Sequence, residues 1–97
     1  MQFEWGAGKA RRNFRKHRIA FDEAITAFDD PYALIALDEK HSGTGEIREW
    51  LIGESDNRVL VVVFTRRHGG RVFRIISARR ASRRERRGHE EVKGVSL

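Results

Sequence analysis

Ninety-seven residues, 39% of them hydrophobic, suffice for one domain with one modest core, and the absence of cysteine removes disulfides and thiolate metal sites. No apolar run approaches the roughly 18 residues of a membrane span, and "MQFEWGAGK" lacks the apolar stretch of a secretory signal, so a cytoplasmic protein with no membrane contact is expected. The net charge of +6 is segregated: residues 9–18 hold six bases and no acid, residues 66–87 hold ten arginines against Glu85 alone, and residues 19–58 hold ten acids against three bases.

Phe3 and Trp5 alternate as in a short edge strand. Lys9 to His17 reads as a helix with a narrow apolar stripe through Ala10 and Phe14. Phe21, Ala24, Ile25 and Phe28 then fall at i, i+3, i+4 and i+7, an amphipathic helix that "DDP" at 29–31 brings to a stop. "YALIALDE" is a strand, "KHSGTGE" a polar loop and "REWLIGE" a second strand. "VLVVVFT" is the strongest strand signal, and its unbroken β-branched run requires burial on both faces, hence a central place. "RRHGG" turns the chain into "RVFRIISA", the last strand of an antiparallel meander.

Strict alternation along that last strand puts Phe73, Ile75 and Ser77 on one face and Val72, Arg74, Ile76 and Ala78 on the other, with Arg79 and Arg80 just past its end. Ser82 and Glu85 have the spacing of a capping box, so a helix starts at Arg83. Gly88 and Val92 are its whole apolar face, which predicts a weakly held helix, and residues 92–97 read as a flexible C-terminal tail. The fold class is α+β: a small antiparallel twisted sheet of about four strands, two N-terminal helices packed on one face, and a basic C-terminal helix.

Clustered arginine costs self-repulsion and suits phosphate, which its planar fork binds with two hydrogen bonds, so a polyanionic partner is implied. Charge by itself serves a ribonuclease, a nucleic-acid-binding module that does not cut, or a protein that docks on an acidic partner. Absence of exposed aromatics among the arginines argues against a stacking platform for single strands. Neither a helix-turn-helix nor a ββα pattern is present to read bases directly. No pair of histidines has ligand spacing beside a carboxylate, so neither a metal site nor a cofactor is expected.

The segments "RKHRIAFDEAITAFDDP", "HSGTGEIREWLIG", "RVLVVVFTRR" and above all "RIISARRASRRER" resemble the BrnT toxins of bacterial type II toxin–antitoxin modules, over nearly the whole chain. The resemblance implies a single RelE-like toxin domain over residues 1–91, acting as a metal-independent ribonuclease that inhibits translation. It also implies RNA as substrate and a BrnA-like ribbon-helix-helix antitoxin as partner, with operator DNA bound only through the antitoxin complex. Some positions depart from the family's common residues: Gly6 and Ala7 replace Asp-Pro, Arg18 a glycine, Ala20 a serine cap, Arg66 an acid and His89 a tyrosine.

Such cleavage uses the RNA 2′-OH as nucleophile, a base to deprotonate it, an acid for the leaving oxygen, and cations for the phosphorane. The catalytic candidates are Arg79 and Arg80, fixed by their strand, then His17, with Glu46, Arg48 and Arg67. In a meander, Arg67 falls at the opposite end of the sheet from Arg79 and Arg80, and Glu46 and Arg48 share its end. Lys9, Arg12, Lys16, Arg83 and Arg84 are the RNA-binding candidates. His41 reads as a loop cap, and the acids of the middle segment, Asp38 and Glu39 included, are expected away from the nucleic-acid site.

Overall fold

The β-branched run after Arg58 does become the middle strand. In the computed structural model, which describes residues 1–43 and 45–95, the elements are β1 (Gln2–Glu4), α1 (Ala7–His17), α2 (Phe21–Ala24), β2 (Leu34–Leu37), β3 (Arg48–Glu54), β4 (Val59–Arg67), β5 (Val72–Arg80) and α3 (Arg83–Val95). The sheet order is β1-β5-β4-β3-β2. The expectation of about four antiparallel strands is corrected: there are five, and the sheet is mixed, because β1 runs parallel to β5 with Gln2 opposite Val72 and Glu4 opposite Arg74. β2 to β5 form the expected antiparallel meander.

The helix foreseen over Phe21–Phe28 is a single α-turn followed by a 3-10 turn, Ile25–Asp29. That segment runs so close to β3 that a Cβ at Gly53 would stand 2.7 Å from the Ala27 carbonyl oxygen. The core lies between these helices and one face of the sheet: Ile19, Phe21, Ala24 and Ala27 pack on Leu51, Leu60, Val62, Phe64, Ile75 and Ala78. Phe28 joins the helices to the strands through edge contacts with Phe3 (4.9 Å) and Phe64 (5.1 Å). Burying such a side chain contributes about 1.5–3 kcal/mol.

β5 departs from strict alternation. Val63 lies opposite Ser77 but Phe64 lies opposite Ile75, so Ile76 is an extra residue, a bulge. Beyond it the faces exchange relative to the sequence reading: Ala78 is in the core beside Ile75, and Arg79 and Arg80 are the last two residues of the strand rather than the first beyond it. α1 holds this stretch. The buried Asn13 amide donates to the carbonyls of Ala78 (2.9 Å) and Ile19 (3.0 Å) and accepts from the Ala78 N–H (3.0 Å). The short β1 ends opposite Arg74, and one side chain satisfies the edge that β1 leaves unpaired.

On the other face Ile52, Val61 and Ala81 form a second apolar cluster at the root of α3. The capping box is present: Glu85 Oε1 accepts from the Ser82 N–H (2.7 Å) and Ser82 Oγ from the Glu85 N–H (3.2 Å). The expectation of a weakly held helix is corrected, because α3 is anchored by polar groups. His89 is buried against Asp30, Arg86 donates to the Ala81 carbonyl, and Lys93 reaches Glu54. Helix also continues through residues 92–95, where a tail was expected; residues 96 and 97 of that tail lie outside the described residues.

Candidate active site

Opposite α1 and α2, the sheet bears a groove of about 500 Å³ whose floor includes Trp50, Val61 and Val63. Arg48 and Arg79 line it, as do Asp38 and His41 from the β2–β3 connection and Glu85 from α3. Arg79 is opposite Val61 and Arg48 opposite Thr65, four residues apart along β4, or about 13 Å of strand. The two arginines thus line the groove from separate places along the sheet.

Each arginine is oriented by a carboxylate that leaves donors free. Glu85 takes the end of the Arg79 guanidinium through Nη1 (2.8 Å) and Nη2 (2.9 Å), so the Arg79 Nε–H stays available on its side. The hydrogen bond from Arg79, with the Ser82 N–H, outweighs burial and holds Glu85 down at about 2. Arg48 Nε donates to Glu46 Oε1 (2.9 Å), leaving its terminal nitrogens. That bond lowers the Glu46 pKa, with smaller contributions from the charges of Arg48, Arg67 and Lys9. The predicted Glu46, Arg48 and Arg67 therefore do gather at one end of the sheet, and Arg79 stands at the other.

Arg79 and Arg80 separate. Residues 78 and 80 lie opposite core-facing Val62 and Leu60, so Arg80 projects to the helix side, where its charge acts on Glu23. There Glu23 is held below the usual carboxylate range chiefly by the Arg58 hydrogen bond, with help from Ser55. Arg66 also points to the helix side, over the Phe73 ring (5.1 Å) and paired with Glu49 (2.6 Å), so the family's acid at that position would not face the groove. His89 is remote from it as well, inside the α3 anchor.

His17 lines an adjoining hollow of about 230 Å³ with Lys9, Arg12 and Lys16, beside the bulge residues Ile76 and Ser77. Ile76 and Ser77 line the groove too, so the basic flank of α1 runs into it at the edge of β5. Arg83 and Arg84 are exposed on the first turn of α3 and line neither hollow.

His41, read from sequence as a loop cap, lines the groove. Its Nδ1 lies 3.1 Å from Asp38 Oδ2 and 3.2 Å from Oδ1, inside a 3-10 turn, Glu39–His41, that the Asp38 side chain caps. A carboxylate only accepts, so Nδ1 is the donor of this contact, and Nε2 is the ring nitrogen left without a partner among the described residues. The turn is tied to β3: the Asp38 N–H donates to the Arg48 carbonyl (2.8 Å) and Ser42 Oγ accepts from the Arg48 N–H (3.0 Å). The loop-capping role is there, and the same turn sets an oriented imidazole beside Arg48, with Asp38 itself lining the groove. The three-residue spacing of Asp38 and His41 was the available signal. Among the described residues no three His, Asp or Glu side chains come together as a metal-ligand set.

A family model described as ribonuclease toxin, BrnT, of type II toxin-antitoxin system matches residues 5–85 of the chain. No curated protein matches it.

Proposed function

The chain belongs to the BrnT family of ribonuclease toxins from type II toxin–antitoxin systems, and from that premise we propose that its groove cleaves RNA by a metal-independent transesterification. The observation that carries the reading is the Asp38–His41 pair beside Arg48 in a groove that Arg79 closes at its far end. His41 Nε2 takes the proton of a 2′-OH, and the oxygen attacks the adjacent phosphorus. The P–O5′ bond breaks, leaving a 2′,3′-cyclic phosphate and a 5′-hydroxyl. Arg48 stabilises charge on the phosphorane and Arg79 holds the neighbouring phosphate. Asp38 orients the His41 ring through its contact with Nδ1. Lys9, Arg12 and Lys16 lead the backbone to the groove past His17, whose place in the adjoining hollow makes it the candidate acid. Cutting RNA in this way would halt translation, with a ribbon-helix-helix antitoxin as the neutralising partner.

The test is cleavage of a single-stranded RNA in EDTA by the full chain, with product ends identified. Cyclic phosphate ends, intact DNA and a loss of about 10²–10⁴-fold in H41A are expected. Wild-type rates in H41A would remove His41 from the mechanism. Loss of cleavage in EDTA with an unchanged circular dichroism spectrum would end the metal-independent reading.

A further inference from the structure

α1 bears a second groove, basic and apolar, on its other flank. Helical periodicity places Lys9, Arg12 and Lys16 toward the active groove, and turns Arg11, Phe14, Arg15 and Arg18 away from it. There a separate groove of about 500 Å³ has an apolar floor of Trp5, Ala10, Phe14 and Phe21. Phe14 is 46% exposed, although it is the largest apolar residue of α1, which corrects the expectation that no exposed aromatic lies among the arginines. The rim is Arg11, Arg15 and Arg18, and none has an acidic side chain within ion-pair distance among the described residues. Arg48, Arg58, Arg66, Arg74 and Arg79 are paired and the other arginines of the described residues are not, so what sets this rim apart is the apolar floor it surrounds. Arg18 sits at φ 61°, a backbone that favours glycine, and holds its guanidinium 5.8 Å from the Phe14 ring. A strained position thus carries a cation to the edge of an apolar groove.

We propose that this flank docks an acidic amphipathic protein segment: an aromatic or leucine side chain enters against Phe14 and Trp5, and flanking carboxylates meet Arg11, Arg15 and Arg18. The proposal rests on the toxin reading, which supplies a protein partner, the antitoxin, and it locates that partner's anchor away from the catalytic groove. An apolar floor favours a side-chain anchor over a phosphate backbone. RNA has its own basic row on the opposite flank.

The probe is a dye-labelled 18-residue helical peptide with leucines and one tryptophan on one face and glutamates elsewhere. Its controls are a scrambled peptide of equal composition and a 2′-O-methyl RNA that cannot be cut. With the full chain, the amphipathic peptide should bind at least tenfold more tightly than the scrambled one. F14A and R11E/R15E should each weaken it tenfold or more, and R79A should leave it unchanged. Both sites are on the surface, and melting curves show whether each variant is folded. Equal binding of the scrambled peptide, no binding at all, or unchanged affinity in F14A overturns the proposal; so does an F14A loss confined to the RNA probe, which makes the flank a stacking site. RNA cleavage is assayed on the same proteins, so a chain that docks the peptide without cutting RNA refutes the catalytic reading alone.

Discussion

His89 Nε2 lies 2.6 Å from Asp30 Oδ2, and the two side chains are 2% and 5% exposed. Burial pushes the Asp30 carboxyl up, but hydrogen bonds from the N–H groups of Glu54 and Tyr32 and from His89 together hold it below its ordinary value. This pair joins the last helix to the end of the 3-10 turn after α2 and to β3, elements that are far apart in the chain. H89A would leave a buried carboxylate without its side-chain partner, at a cost of about 3 kcal/mol. Urea denaturation should show that loss, and amide exchange over residues 83–95 should rise more than over β4. Faster exchange spread evenly over the molecule would mean that the pair does not anchor α3 in particular.

Arg79 and Arg80 should differ although they are adjacent. Arg79 lines the groove and Arg80 does not. R79A should slow RNA cleavage by at least tenfold at both low and high salt, and R80A should change it less than threefold, since its screened charge acts only at a distance. Steady-state cleavage at two ionic strengths decides the matter. Equal losses would show that the arginines work as one undifferentiated patch.

Glu85 gives a pH dependence whose sign follows from its lowered pKa. Its folded value of about 2 lies below the ordinary 4.5, so its contribution is complete above pH 4.5 and is lost as pH falls toward 2. Partial exposure of the pair limits the effect to about 1 kcal/mol. Melting temperature followed from pH 5 to 2 should fall less steeply in E85Q than in the wild type. E85Q should also lower RNA cleavage at neutral pH, because the amide orients Arg79 less firmly.

Arg18 closes α1 in the left-handed conformation at φ 61° and ψ 28°. R18G should stabilise the fold by about 1 kcal/mol, read from the urea midpoint. It should leave RNA cleavage unchanged, because Arg18 faces away from the groove. A destabilised R18G would mean that contact with Phe14 outweighs the backbone strain.

The strands were legible because their signals are local. β3 has the predicted bounds, Arg48–Glu54, and the β-branched run is the central strand because both of its faces are apolar. The capping box was readable for the same reason: Ser82 and Glu85 lie in one turn. What escaped depends on contacts between distant residues. Counting apolar positions missed the hold on α3, since His89 is polar and its partner is 59 residues away. The bulge at Ile76 is followed by a stretch that Asn13, 65 residues from Ala78, holds by hydrogen bonds, and no alternation rule along β5 reveals it. That displacement put Ala78 on the wrong face in the sequence reading. His41 was read as a loop cap for another reason: its turn has plain loop chemistry, and the fold is what brings it to the groove with Arg48.

The bulge also bears on how the strand can change in length. Removing one residue from a strand ordinarily inverts everything beyond the cut, sending core side chains to solvent. Ile76 is the residue that has no counterpart on β4, where Val63 and Phe64 are consecutive. Its excision would leave Ser77 opposite Val63 and Ile75 opposite Phe64, with Ala78 still inward and Arg79 still in the groove. A gain of one residue at the same point carries no such protection. The middle of β5 is therefore asymmetric toward deletion and insertion, and shortening is the change that the arrangement of arginines can survive.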